Sequence, residues 1–510
     1  MKNIMMILAD QHHAGVMGCA GHPQALTPNL DQLASEGVRF TNAYTQNPIC
    51  TPSRVSILSG QYCHNHGLYG LSGPVPGGLN NLFRHCRAAG YRTAGVGKMH
   101  LPNRPRNWVA DDVDLFADTY ETPDGEIGTS AYLDHLEAAG LHELQDSWHN
   151  TRNYGKGAIS LDARPSMLPY ENTQEVWSAG QAMSFIDADP GRPFCVQVSF
   201  QKPHHPLLPN PRFWDLYPED LELPSTFDIQ PDHRPPHFRQ QWEGLRRLEW
   251  DYGSPGETYR DGARRAWRGT LACVSQIDDV TGMLLRFLDE RGLADDTIVV
   301  YGSDHGCYHT IHGIAEKAPG ICSDAVCRVP MIMRAPGAAE GGRACDALVE
   351  NIDMVPTLLS LCGLPPMDTV DGIDLGPVLT GEAEEVREAA VTENPWSKSI
   401  RWKNWRLVHY QPEMFPGQDT GELYNMADDP DELKNLYVDP ASHNIVERGR
   451  RLLLEWLIRT TRITTSNPAV RNRLSGSGAV GTFSFPTASD GRGPNAVQPR
   501  YREDNFINYL

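Results

Sequence analysis

The strongest constraint on the fold is a series of short apolar runs that do not alternate with polar residues: "NIMMILA" (3–9), "RTAGVG" (92–97), "FCVQVSF" (194–200), "TIVVYGS" (297–303) and "VPMIMRA" (329–335). A strand that is apolar at nearly every position must be covered on both faces, and the helical patterns between these runs supply the cover. The chain therefore reads as α/β, with a mostly parallel sheet flanked by helices. "TPNLDQLASEG" reads as a helix with Thr27 as cap, Pro28 at the first position and Gly37 as stop. A long helix is expected from Asp261 to Arg291, and the region 202–260, rich in Pro, aromatics and charge, reads as irregular cover. At 510 residues the chain has length for one large domain, placed at 1–383, and a smaller one. From Glu384 the pattern changes: "SIRWKNWRLVHY" has strand character, "ELYNMADDPDELKNL" follows, and a helix runs through "RGRRLLLEWLIR". Residues 384–464 are read as a C-terminal α+β domain. In the tail, 465–510, apolar periodicity vanishes; it is either loosely attached or reaches onto a neighbouring subunit of a homo-oligomer.

The formal net charge of -19 leaves no broad basic footprint, which argues against nucleic acid or an anionic membrane surface as partner. Any anion site must be local. Eleven cysteines, odd in number and without repeated spacing, fit reduced thiols better than a disulfide framework. The apolar run after Met1 and Lys2 is too short for a signal h-region and leads into "DQHH", so it reads as a core strand of a cytoplasmic protein. No segment approaches about eighteen uninterrupted apolar residues, so no membrane span is expected.

In open α/β sheets ligands bind beyond the carboxyl ends of the strands. Asp10 and Gln11 follow the first run, Lys98 and His100 the second, His204 and His205 the third, and Asp304 and His305 the fourth. Taken singly these are ordinary residues: an Asp closing a strand is commonly a turn residue, and Lys98 or Lys317 a solvated loop lysine. Together Asp10, Gln11, Asp304 and His305 offer carboxylates, an amide oxygen and an imidazole, a set suited to a hard divalent cation. "NPICTPSRVSILSG" (47–60) adds a thiol at a helix mouth. Pro52 suits the first helical position and Gly60 the stop, which would set Cys50 at the positive end of the helix dipole with Arg54 nearby.

Here a family pattern enters. "CTPSRVSILSG" resembles the first signature of the type I sulfatases, a branch of the alkaline phosphatase superfamily related to arylsulfatases and phosphonate monoester hydrolases, and "GYRTAGVGKMHL" resembles the second. "ADQ", "TPNLDQLASEGVRFTNAY", "KPHHP", "GSDHG" and "ELYNMADDPDELKNL" fall in that family's order over residues 3 to 440. The resemblance implies an alkaline-phosphatase-like fold and a nucleophile made from Cys50, oxidised by a formylglycine-generating enzyme to an aldehyde that hydrates to a gem-diol. It further implies one divalent cation held by Asp10, Gln11, the modified Cys50, Asp304 and His305. Arg54, Lys98 and Lys317 would offset charge on the transferred sulfuryl group. His204 or Lys317 would protonate the leaving oxygen, with His204 favoured on side-chain pKa, and His100 would deprotonate the second hydroxyl to release sulfate. The substrate class is a small sulfate monoester of an aryl, alkyl or sugar alcohol.

Two departures keep a competitor in view. Gln11 and His305 stand where many sulfatases carry an acid and an Asn, a variant similar to that of phosphonate monoester hydrolases and choline sulfatases. Ca2+ is the first expectation, with Mn2+ and Mg2+ open, since an imidazole ligand shifts preference toward transition metals. Against phosphonate or phosphodiester hydrolysis stand Lys98 and His100, which follow the sulfatase signature, and Leu71, near the place where those relatives carry an Asn. A reading of another class is an inactive metal-binding homologue in which Cys50 stays a thiol. Substrate selection is expected from the aromatics of Trp214 to Tyr259 and of Trp148 to Tyr154, which could equally be local core.

Overall fold

A computed structural model describes residues 1–71, 73–102, 108–119, 130–144, 161–247, 258–317, 322–338 and 341–462. Its main sheet contains β1 (Asn3–Ala9), β2 (Val38–Tyr44), β3 (Arg92–Gly97), β4 (Leu115–Asp118), β5 (Phe194–Phe200), β6 (Thr297–Ser303), β7 (Arg328–Arg334) and β8 (Arg343–Glu350), in the order β4-β3-β5-β1-β6-β7-β2-β8. Every residue of β1, β5 and β6 is buried, because successive side chains enter opposite layers. Ile4, Met6 and Leu8 join one core with Ile298 and Val300, while Met5, Ile7 and Ala9 join the other with Val299 and Tyr301. The sheet is thus mostly parallel with helices on both faces, as its unbroken apolar runs require. Only β7 runs antiparallel to its neighbours. β7 follows the short helix Asp324–Cys327 and starts beside the end of β6, where Gly302 pairs with Met331, so it runs back.

The register aligns the carboxyl ends. Gly97 pairs with Ser199, Ala9 with Phe200, and Ala9 with Ser303, which delivers residues 10, 98, 201 and 304 to one edge. A second, antiparallel sheet of β9 (Ala389–Glu393), β10 (Ser397–Trp402), β11 (Trp405–Tyr410) and β12 (Gly421–Asn425) follows in the order β12-β11-β10-β9. The helix His443–Thr460 packs Val446, Leu453 and Trp456 against its Trp402, Leu407 and Leu423. The two sheets are joined by Glu393 N–H donating to Gln46 O at 2.8 Å and Val391 N–H to Glu350 Oε1 at 2.7 Å.

Local readings need several corrections. Thr27 does precede the helix Pro28–Glu36, but its hydroxyl bonds Gly18 N–H and Asp31; the first-turn amides of Asn29 and Leu30 donate instead to Asp278. Asp278 lies on the long helix, which spans Tyr259–Glu290 and is capped reciprocally by Thr258 and Asp261. The region 202–260 is not wholly irregular, since it carries a twelve-residue helix, Pro236–Arg247. The segment Trp148–Tyr154, the tail 465–510 and residues 248–257 lie outside the described residues. Among the described residues no helix is long and apolar enough to cross a membrane.

Candidate active site

The first anchor is the helix Cys50–Ser59, which starts two residues earlier than expected. Cys50 is its first residue, Ile49 caps it without a side-chain bond, and Pro52 sits in the first turn, where a missing N–H still costs nothing. Gly60 ends the helix at φ 67°, a left-handed turn that suits glycine. All ten residues of this helix are buried. That fixes Cys50 and Arg54 one turn apart, under the carboxyl edge of the sheet.

Arg54 organises the floor. Its Nε donates to Asp304 Oδ2 at 2.8 Å, its other nitrogens to Ser199 Oγ at 2.8 Å and Asp10 Oδ2 at 3.3 Å, and also to the Lys98 carbonyl. Lys98 Nζ forms an ion pair with the same Asp10 oxygen. Gly97 allows Lys98 to turn in: at φ 84°, a Cβ on residue 97 would sit 1.9 Å from Ser199 O. With Oδ2 atoms taken by cations, the Oδ1 atoms of both aspartates face inward. Asp10 Oδ1 lies 3.7 Å from Cys50 Sγ and 3.9 Å from His305 Nε2, and Asp304 Oδ1 lies 3.9 Å from His305 Nε2. His305 Nδ1 bonds the Gly306 carbonyl at 2.8 Å, which must accept, so Nδ1 carries the proton and Nε2 presents a lone pair, 3.1 Å from Cys50 Sγ. Asp10, Cys50, Asp304 and His305 thus place four ligand atoms within 4.8 Å of one another. Two carboxylates and an oriented imidazole, buried and converging, fit a divalent cation.

Gln11 joins this group from a left-handed backbone, φ 67°. Its N–H donates to Asp304 Oδ1 at 3.1 Å, its carbonyl bonds His309 Nε2 at 2.9 Å, and its Oε1 accepts from Lys317 Nζ at 2.6 Å. Lys317 therefore reaches the same cluster from the loop after β6. His100, also left-handed at φ 44°, and His204 are buried beside it within the field of Lys98 and Asp10. His204 Nδ1 bonds the His205 carbonyl at 2.7 Å, and the two rings stack 4.1 Å apart. All ten residues expected from the sequence are therefore drawn to one edge. Ser199, Cys307, His309 and Glu316 were not anticipated. Their contacts with Arg54, Gln11, Gln11 and Lys317 arise only from folding.

Electrostatics sharpen the picture. Burial disfavours ionised Asp10, yet Lys98, His204, Arg54 and His305 outweigh it and hold the carboxyl well below the usual range. Burial, then Asp10, pushes the Cys50 thiol up to about 12. Burial and then Lys98 hold His100 and His204 well below an ordinary imidazole. The sequence favours His204 as donor on an ordinary side-chain pKa, whereas burial and then Lys98 depress that pKa here. Burial opposes the charge on Lys317, but Cys50, Glu316 and Asp10 outweigh it and raise its pKa.

A buried cluster of carboxylate, imidazole and thiol ligands, ringed by fixed cations at the carboxyl edge of such a sheet, suits an anionic ligand. Residues 2–364 match the family model described as sulfatase, and residues 319–457 match that of N-sulphoglucosamine sulphohydrolase, C-terminal. The chain belongs to the sulfatase family, whose members are sulfuric ester hydrolases. It is 26% identical over 501 residues to an N-acetylglucosamine-6-O-sulfatase of Bacteroides thetaiotaomicron, covering 85% of this chain and 82% of the relative. It is 29% identical over 451 residues to a choline-sulfatase of Rhizobium meliloti, covering 86% and 83%. The phosphonate monoester hydrolase of Agrobacterium radiobacter shares the fold at a TM-score of 0.73 and 21% identity, covering 90% of this chain and 96% of that one.

Proposed function

We propose that the chain hydrolyses sulfate monoesters of sugar or alkyl alcohols, with aryl sulfates as accessible surrogates, through a formylglycine made from Cys50. One observation carries this reading: the Cys50 side chain, in the first turn of a buried helix, points into the Asp10, Asp304 and His305 cluster. The sulfur is therefore better understood as a precursor. When formed, the hydrated aldehyde supplies two hydroxyls, so attack on sulfur and release of sulfate use different oxygens. Asp10, Gln11, Asp304 and His305, with the group made from Cys50, would hold a divalent cation, with Ca2+ favoured, which would supply Lewis-acid chemistry there.

The chain's own residues then divide the work. Arg54 is pinned by Asp10, Asp304, Ser199 and the Lys98 carbonyl, so its positive charge is fixed before substrate arrives. Lys98, held against Asp10, and Lys317, held against Gln11, add positive charge that would meet the flattened sulfuryl group. Lys317 has a raised pKa, whereas burial and then Lys98 depress that of His204. The pair provides the leaving-group proton. His100, neutral and buried, accepts the proton from the second hydroxyl.

Phosphonate or phosphodiester hydrolysis is the second reading, favoured by Gln11 and His305 at the cation cluster. Some activity on such esters is expected, because the two transition states share shape and charge location. Mass spectrometry of the Cys50 peptide from the native host tests the primary reading. Conversion of thiol to aldehyde loses about eighteen mass units, the signature of the activated nucleophile. A peptide that keeps the thiol throughout protein from the native host would sink the formylglycine mechanism and leave the inactive, metal-binding alternative.

A further inference from the structure

Gln11, His309 and Thr310, none of them glycine, hold left-handed backbone at φ 67°, 43° and 75° in two segments that meet at the carboxyl edge of the sheet. Such conformations persist only where the surroundings over-determine them, and they gather where a side chain must be aimed. Around Gln11 those surroundings are explicit. Its four polar groups are all engaged by the chain between Asp304 and Lys317. The N–H donates to Asp304 Oδ1 at 3.1 Å, the carbonyl accepts from His309 Nε2 at 2.9 Å, Nε2 donates to Cys307 Sγ at 3.1 Å, and Oε1 accepts from Lys317 Nζ at 2.6 Å. The reaction proposed above uses Gln11 and Lys317 but gives no part to Cys307 or His309, both of them buried.

The directions of these bonds follow from the groups themselves. A carbonyl can only accept, so His309 donates from Nε2; its Nδ1, 3.3 Å from Thr270 Oγ1 on the long helix, ties the ring at the other end. The turn behind it is closed by Thr310 N–H on Ile314 O at 2.8 Å and Gly313 N–H on Thr310 O at 2.9 Å. Cys307 Sγ, 3.8 Å from Ala315 O, directs its S–H there and offers its lone pairs to Gln11 Nε2. The two ends of the carboxamide are thereby distinguished: its nitrogen faces a sulfur that accepts, its oxygen an ammonium that donates. Oε1 keeps a second lone pair for a cation. We propose that Cys307 and His309 are positioning residues for the cation, acting through Gln11. His309 holds the left-handed Gln11 backbone, and with it the N–H that orients Asp304 Oδ1, while Cys307 fixes which end of the carboxamide is presented. This role rests on the reading of Asp10, Gln11, Asp304 and His305 as cation ligands, and not on which ester is hydrolysed.

The test is calorimetric titration of the full chain, freed of metal by a chelator, with Ca2+ and with Mn2+. Partners that orient a metal ligand are worth roughly 10–100-fold in affinity, so binding should weaken about tenfold or more in His309→Leu and in Cys307→Ala. It should return to within about threefold of the unaltered chain in His309→Gln and Cys307→Ser, which keep a donor and an acceptor at those places. In a Gln11→Ala background Cys307→Ala should change nothing further, since the amide through which it acts is gone. Melting curves of the metal-free proteins verify folding; should His309→Leu fail to fold, the cycle of Cys307 with Gln11 decides alone. Affinities unchanged in the loss variants, or a Cys307→Ala loss that persists undiminished without the Gln11 side chain, overturn the proposal and leave the cation reading standing. An unaltered chain that binds neither ion overturns both.

Discussion

Ser199→Ala is a small change with a calculable effect. The hydroxyl is one of four acceptors around the buried Arg54 guanidinium, at 2.8 Å, and it lies at the end of β5 directly opposite Gly97. A hydrogen bond to a charged group contributes about 1.5–3 kcal/mol, and loss of the partner leaves a buried N–H uncompensated. Three acceptors remain, so the lower part of the range applies, about 1.5–2 kcal/mol. If the whole cost falls on the placement of Arg54 in the transition state, kcat/KM drops roughly 10–30-fold. The assay is steady-state hydrolysis of p-nitrophenyl sulfate by protein with verified aldehyde content. A double-mutant cycle read by denaturant unfolding adds the specific signature: the stability cost of Ser199→Ala should nearly vanish in an Arg54→Ala background. A loss of activity under about threefold, or a stability cost that persists undiminished without Arg54, refutes the claim that Ser199 acts by holding the guanidinium.

Other expected outcomes follow from the same coordinates. Glu175→Ala strands the Lys202 ammonium, 6% exposed, without its carboxylate, and should cost about 3–5 kcal/mol in chemical denaturation; a cost below 1 kcal/mol contradicts a buried pair. Burial holds His66 and His237 down to about 4, so at pH values below about 6.5 the unfolded chain binds more protons than the native one. Stability should therefore be full above pH 6.5 and fall progressively toward pH 4, and a melting temperature that is flat from pH 7 to pH 5 would be incompatible with neutral buried imidazoles. Chelation should abolish activity and lower the melting temperature, with Ca2+ or Mn2+ restoring both. At an ion concentration of about 100 times Kd the stabilisation is about 2.7 kcal/mol, so an unchanged melt argues against ion binding at the Asp10 cluster.

What the sequence discloses depends on whether a residue's role is local. β1, β5 and β6 are legible because burial on both faces removes polar residues altogether, and the residues that follow them inherit a predictable edge. β2 and β8 are not, since "VRFTNAY" keeps the half-buried Arg39, Thr41 and Asn42 and "RACDALVE" the exposed Asp346 near the margin of the sheet. The helix Pro236–Arg247 is hidden by its own composition, in which Pro236, His237 and several charged or amide residues mask the apolar side. The helix at Cys50 is placed two residues late because no side chain caps it and Pro52 looks like a start. Asp10, Lys98 and Asp304 are found from strand ends and motif order, but Ser199 and Cys307 act through contacts across the fold that have no signature in one dimension.

The most direct measurement of the central claim is a paired rate comparison on protein whose Cys50 is verified as formylglycine, with p-nitrophenyl sulfate set against phenyl p-nitrophenyl phosphonate, each with Ca2+ or Mn2+ supplied. A clear preference for the sulfate, lost in Cys50→Ala, is the predicted result. A phosphonate rate higher by orders of magnitude would contradict it and make Gln11 and His305, rather than Lys98 and His100, the better guide to the chemistry.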